Sequence, residues 1–315
     1  MSGQTAIYFS WNRPDETSAP LGVIDNRFPA LFESRRMLYP RYSEFADPDH
    51  FDQGIGGFLD HIQRPNFVAF AEVTVRLTGL PVVETERVDA DGVVTPITDL
   101  IEAGVDTLVV IGFDSLRTGQ CPSDEEMVAL RGFLDDPGNL LVLAPHHDIG
   151  DAPEVEFLHH GDRTLPPEQR FGGYARSVLA GLDVPVENRF GLRPAVDPGG
   201  RPARIEPERG FDRLGVLEGV DTFNLHPHLP HFECRTGAVE KLDVLARQRI
   251  DPDAPVHPFT ADGRETFDAL LQSRPGVFNG VLLVGDATLF SSTAGGVESL
   301  RRLWTNVLRR RTGGP

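Results

Sequence analysis

Two continuous apolar runs, joined through one capped helix, restrict this chain more than any other feature. Residues 106–112 read DTLVVIG and residues 139–144 read NLLVLA, without the polar alternation of a strand that has one wet face. Such runs are the habit of strands in parallel sheets covered by helices on both faces. Between them Ser123 stands three residues before Glu126, the spacing of a capping box. Met127, Leu130 and Leu134 follow on one helical face, and Pro137-Gly138 ends the helix. The unit is strand, helix, strand with short connections, and such crossovers join parallel neighbours with a right-handed turn.

The pattern returns elsewhere. Residues 5–10 and 81–88 read as strands, and 280–285 (GVLLVG) as another buried one. Residues 66–78 carry a helical face of Phe67, Phe70, Ala71 and Leu77, and 98–103 form a short helix closed by Gly104. Val297, Leu300, Trp304 and Val307 mark a last amphipathic helix running to about Arg309. The expectation is a single α/β unit over 1–315, a doubly wound and mainly parallel sheet with long irregular insertions. Residues 13–65 read as an irregular arm, a cover over the site or a homodimer contact. Residues 151–207 read as an inserted subregion containing a helix at 171–182, and 239–250 as a strand or hairpin.

The 315 residues carry a net charge of −17. That charge repels phosphate backbones and anionic lipid, so nucleic acid and membranes are not expected partners, and a small-molecule substrate is. The arginines at 301, 302 and 309–311 read as a solvated helix end. No apolar run reaches the ~18 residues of a membrane span, and the first ten residues lack a secretory pattern. The expected location is cytoplasmic. Lys241 is the sole lysine, so lysine-based covalent chemistry has one candidate. Cys121 and Cys234 make neither a disulfide framework nor a CxxC pair.

The order DTLVVIG, SDEEMVALRGFLDD, NLLVLAP, with VEKLDVLARQ and VLLVGDATLFSS later, resembles the class I glutamine amidotransferase-like superfamily. The likeness covers roughly 80–150 and 235–310 and is nearest to the branch of trehalose-utilisation-type proteins. It implies a flavodoxin-like sandwich. It does not imply glutaminase activity, because the turn that holds the family's nucleophilic cysteine reads Pro145-His146-His147-Asp148 here. Residues 143–148 are also similar to the strand-end motif of zinc-dependent N-acetylglucosaminyl deacetylases. Ile149 stands where that family has a second acidic ligand, so the likeness reads as convergence on a strand-end metal site.

Seven of the ten histidines fall between His146 and His231, where even spacing would place roughly three. His146-His147-Asp148 follows a buried strand and so emerges at the sheet's carboxyl edge, where open α/β sheets bind ligands. In an extended turn His146 and Asp148 point one way, and His226 and His228 share that period of two. These four are the candidate ligands for a divalent ion, Zn²⁺, Fe²⁺ or Mn²⁺. His147, His160, His231 and Asp286 are the candidate acid–base groups. Asp114 and Asp286 end strands expected beside His146, and the 291–296 turn can offer N–H groups to an anion. Walker, dinucleotide and nucleophile-elbow motifs are absent. The leading expectation is a metal-dependent enzyme of secondary metabolism that hydrolyses an amide or related C–N bond. Two alternatives stay open: a non-catalytic amidotransferase-like domain that binds a sugar or a partner protein, and a metal-free His/Asp acid–base enzyme.

Overall fold

The computed structural model describes residues 3–17, 64–149, 155, 159 and 170–309. Most of the 13–65 arm, the 151–169 part of the expected inserted subregion apart from 155 and 159, and the acid–base candidate His160 lie outside the described residues.

Among the described residues, ten strands form two sheets. In chain order they are β1 (Gln4–Asn12), β2 (Val83–Val88), β3 (Val105–Gly112), β4 (Leu140–Pro145), β5 (Val186–Leu192), β6 (Glu206–Pro207), β7 (Leu229–Cys234), β8 (Leu242–Arg249), β9 (Thr266–Ser273) and β10 (Val281–Gly285). The α-helices among the described residues are α1 (Arg13–Thr17), α2 (Val68–Thr78), α3 (Ile97–Glu102), α4 (Asp124–Leu134), α5 (Gly173–Gly181) and α6 (Val297–Arg309). The large sheet has the order β2-β1-β3-β4-β10-β9-β8-β6. Its first five strands are mutually parallel. The last three run antiparallel to their neighbours. A mixed α/β fold with a mainly parallel central sheet is therefore observed.

Alternate residues of the central strands feed two cores, which explains their unbroken hydrophobicity. Ile7, Phe9, Val109, Val142 and Leu283 pack with Phe70 and Val73 of α2 and Leu300 and Trp304 of α6. Ala6, Tyr8, Val110 and Leu143 face the other way, against Leu100 of α3, Leu130 of α4 and Val178 of α5. Trp304, buried in the first core, satisfies its indole N–H on the Leu289 carbonyl at 2.6 Å. The Ser123–Glu126 capping box is present and opens α4.

The irregular appearance of the middle of the sequence conceals sheet structure. β5 and β7 make a separate antiparallel pair. Of the expected strand or hairpin at 239–250, the strand β8 is found, and it pairs with β9 rather than folding on itself. The helix expected inside the 151–207 insertion is α5, which packs on β3 and β4 as part of the central layers.

Candidate functional site

β4 ends at Pro145, and the chain then bends. The His146 N–H still bonds to the Gly112 carbonyl at 2.9 Å, but the Asp148 N–H already bonds to Asn188 of β5 at 2.8 Å. The chain passes from one sheet to the other within three residues. The buried Asn188 amide secures the bend by donating to the carbonyls of His146 and Phe171.

This bend overturns the alternation expected for 146–148. His146 and His147, one residue apart, both enter a shared cluster, with ring centroids 4.2 Å from each other. Asp148 does not join them. Its carboxylate accepts from Arg170 at 2.8 Å and from Arg176 at 2.6 Å, a buried acid neutralised by two guanidinium groups. Neither arginine is near it in sequence, so spacing gave no sign of the pairing.

His226 and His228 complete the cluster from the segment before β7. Their centroids are 4.2 Å apart, and they lie 4.8 and 5.8 Å from His146. His147 is 4.3 Å from His228. One nitrogen from each of His146, His226 and His228 falls within a common span of 4.8 Å. A tetrahedral ion with ~2.0–2.1 Å bonds needs ligand atoms roughly 3.4 Å apart, so side-chain shifts of about 1 Å suffice. Phe113 and Phe171 form an apolar wall, 4.9 and 5.7 Å from His146.

Asp286, immediately after β10, organises the group. His146 Nδ1 donates to its Oδ2 at 2.9 Å, and the backbone N–H and hydroxyl of Thr288 donate to Oδ1. Burial by itself would raise this carboxyl, but His146, His226 and the Thr288 bond hold it below the usual range. Asn224 donates to the Thr288 hydroxyl at 2.8 Å and accepts the His226 N–H at 3.0 Å. A polar relay thus joins the two halves of the cluster through Asp286, Thr288 and Asn224. The 291–296 turn braces it: Leu225 N–H bonds to the Ala294 carbonyl at 2.8 Å.

The remaining candidates lie elsewhere. Asp114 is buried and accepts from Ser10 at 2.7 Å and from the Tyr174 N–H at 2.9 Å; burial pushes it up to about 6. It is not an organiser of His146. His231 sits on β7, beyond the cluster, with Nδ1 accepting the Asp268 N–H at 3.1 Å. It rests against Phe259 at 4.8 Å and lines a separate cleft. Sequence reasoning missed Asn188, Asn224, Thr288 and Phe171, because amides, hydroxyls and single aromatics carry no spacing signal.

No protein-family model matches the chain, and no curated protein matches it. Among solved structures, an exo-beta-1,4-mannosidase from Opitutaceae bacterium strain TAV5 is similar at 12% identity and a TM-score of 0.30. The match covers 72% of this chain and 27% of that one, so this chain spans about a quarter of the mannosidase. A likeness of that size carries no argument about fold or activity. Among the described residues, no helix is long and apolar enough to cross a membrane.

Proposed function

We propose that the cluster binds one divalent metal ion and that the protein is a metal-dependent hydrolase of a small molecule. The observation that carries this is the convergence of His146, His226 and His228, with His146 oriented by Asp286 through Nδ1. Imidazoles held from behind by a carboxylate are the usual construction of a metal site, because the acceptor fixes the tautomer and leaves Nε2 to ligate. Three neutral imidazoles suit Zn²⁺ best among the three candidate ions. An ion held by three protein ligands keeps a position for water or substrate and lowers the pKa of that water. His147 is the adjacent acid–base candidate. An amide or related C–N bond is the reaction class to test first.

The strand order β2-β1-β3-β4-β10, all parallel, supports the flavodoxin-like reading, since it is the 2-1-3-4-5 order of that class. The cluster then sits in the crevice above strand ends that such sheets use for ligands. A glutaminase is not proposed, because the turn Pro145-His146-His147-Asp148 after β4 carries no cysteine. The 2.9 Å His146–Asp286 pair also favours a second reading, a metal-free general base of the His–Asp kind.

Elemental analysis of protein purified without a histidine tag separates these. The expected result is one divalent ion per chain, lost in a His146→Ala, His228→Ala double variant that still melts cooperatively. Stoichiometric binding that survives the double variant, or wild-type protein that takes up no zinc, iron or manganese on dialysis, overturns the metal proposal. Hydrolytic activity that persists after chelation assigns the site to the His–Asp reading.

A further inference from the structure

The histidine cluster is not equally covered on all sides. His146 and His147 are buried, whereas His226 and His228 are half-exposed, so the group opens where the last two stand. Its two aromatic neighbours differ in the same way. Phe171 is buried and stands edge-on to His147, 82° apart in plane, so it packs the cluster from within. Phe113 is half-exposed, with its ring 4.9 Å from His146. Among the described Phe, Tyr and Trp residues, only Phe113, Phe190, Phe211 and Phe278 are not buried, and of these only Phe113 lies against the cluster.

Phe113 is held in place from three directions. Gly112 and Pro145 are partners in the parallel β3–β4 ladder, and the His146 N–H bonds to the Gly112 carbonyl at 2.9 Å, so Phe113 and His146 leave the sheet as neighbours. A Cβ on Gly112 would lie 2.9 Å from Pro145 Cα, and its absence lets the two strand ends approach this closely. By strand alternation Phe113 continues the side that sends Ile111 and Ala144 into the first core. Buried Phe67 of that core backs the Phe113 ring, 6.3 Å away and 65° apart in plane. The segment that carries Phe67 is tied down in turn, because the Asn66 carbonyl accepts the Ser292 N–H at 2.8 Å. The ring is thus preorganised, and covering its exposed part takes apolar surface out of water.

The reach from ion to ring fits one bond of acyl chain. An ion ~2.1 Å from Nε2 stands roughly 3 Å from the centre of the His146 ring. With Phe113 4.9 Å from that centre, its ring lies within about 8 Å of the ion. A six-membered ring attached directly to a ligating carbonyl sits about 5–6 Å from the ion. Aromatic rings make contact at centroid separations of about 4.5–7 Å, so such a group meets Phe113 without any shift of the backbone. A phenyl side chain offers neither charge nor a strong hydrogen bond, so it rewards an apolar acyl group and does nothing for a charged one.

We propose that the substrate of this site carries an apolar acyl group and that Phe113 selects it, an assignment that rests on the metal-hydrolase reading of the same site. Hydroxamates test it, because they chelate a protein-bound divalent ion whatever their acyl group. The zinc-loaded full chain is titrated by calorimetry with acetohydroxamate, benzohydroxamate and succinic monohydroxamate, and its metal content is measured in parallel. Benzohydroxamate should bind about tenfold tighter than acetohydroxamate or better, and the succinyl probe no tighter than acetohydroxamate. Phe113→Ala should bring the benzoyl-to-acetyl ratio within about threefold of unity, with metal content and acetohydroxamate affinity retained. Phe113→Leu keeps bulk against Phe67, should lose part of the preference and covers the case in which the alanine variant does not fold. Wild-type protein that takes up no ion overturns the metal reading and this assignment with it. Ion-loaded protein that binds all three probes equally, prefers the succinyl probe, or keeps its full benzoyl preference in both variants overturns the assignment alone. Loss of metal and of acetohydroxamate binding together in both variants gives Phe113 a purely structural role and also overturns it.

Discussion

Asp286 is held by three hydrogen bonds, and the consequence falls on His146. A carboxylate can only accept from Nδ1, whereas an amide can turn its NH₂ toward the ring and favour the other tautomer. Asp286→Asn is expected to weaken metal affinity by roughly 10–100-fold while the fold persists. Competition against a fluorescent zinc chelator measures this, and unchanged affinity would remove Asp286 from the site. His231 gives a prediction in pH. Its folded pKa is about 4 against 6.5 in the unfolded chain, because burial disfavours the imidazolium; Arg264 and Arg247 add to the shift, and Glu233 opposes it. The native state stays neutral while the unfolded state takes up a proton. Stability is therefore retained above about 6.5 and lost as pH falls toward 4, by on the order of 3 kcal/mol. Urea unfolding at stepped pH should show this slope in wild type and a shallower one in His231→Asn. The cluster's histidines were legible in the sequence as a local excess of one residue type. The diversion of Asp148 was not, since it depends on a bend secured by Asn188 and on arginines brought from α5 and the chain before it.

At the level of elements, α4 was legible because a capping box is a local device. Glu126 does more than cap. It also takes Arg87 of β2 at 2.6 and 3.1 Å, the Ile97 N–H that starts α3 and the Tyr174 hydroxyl of α5. Burial would raise its pKa, but Arg87 and the backbone donors hold it below the usual range. An N-cap contact is worth about 1 kcal/mol, whereas breaking a buried pair costs about 3–5 kcal/mol. Glu126→Ala should therefore destabilise by at least about 3 kcal/mol in urea unfolding; a loss near 1 would mean the cap alone matters. Gly296 tests the brace behind His226. It has φ +66°, and a Cβ there would lie 2.4 Å from the Phe223 carbonyl oxygen. Gly296→Ala should displace the 223–226 segment and lower metal affinity, while α6 stays helical by circular dichroism. β5, β7 and β9 escaped the sequence reading for one shared reason. Polar residues such as Asn188, Glu233 and Gln272 interrupt their apolar runs, and distant partners, not local pattern, decide their pairing.

For the molecule as a whole, the parallel half was legible, and of the antiparallel half only β8 was. β1, β3, β4 and β10 announce themselves because helices cover both faces, so nearly every position must be apolar. The net charge of −17 acts at this scale as self-repulsion in the compact state. Buried pairs such as Arg176–Asp148 and Arg87–Glu126 are screened less than exposed charges. Raising ionic strength from low to physiological should thus raise the melting temperature, and a fall would show that exposed ion pairs outweigh the repulsion.

The relay from Asp286 to Asn224 ties a strand end of the large sheet to the segment that enters the small one. Two of the three proposed ligands ride on that segment. Any opening that frees β7 from β5 would release both at once, so the ion's off-rate becomes a gauge of how often the small sheet comes undone. Stripping the ion should then quicken amide deuteration around 224–234 and leave β3 and β4 as slow as before.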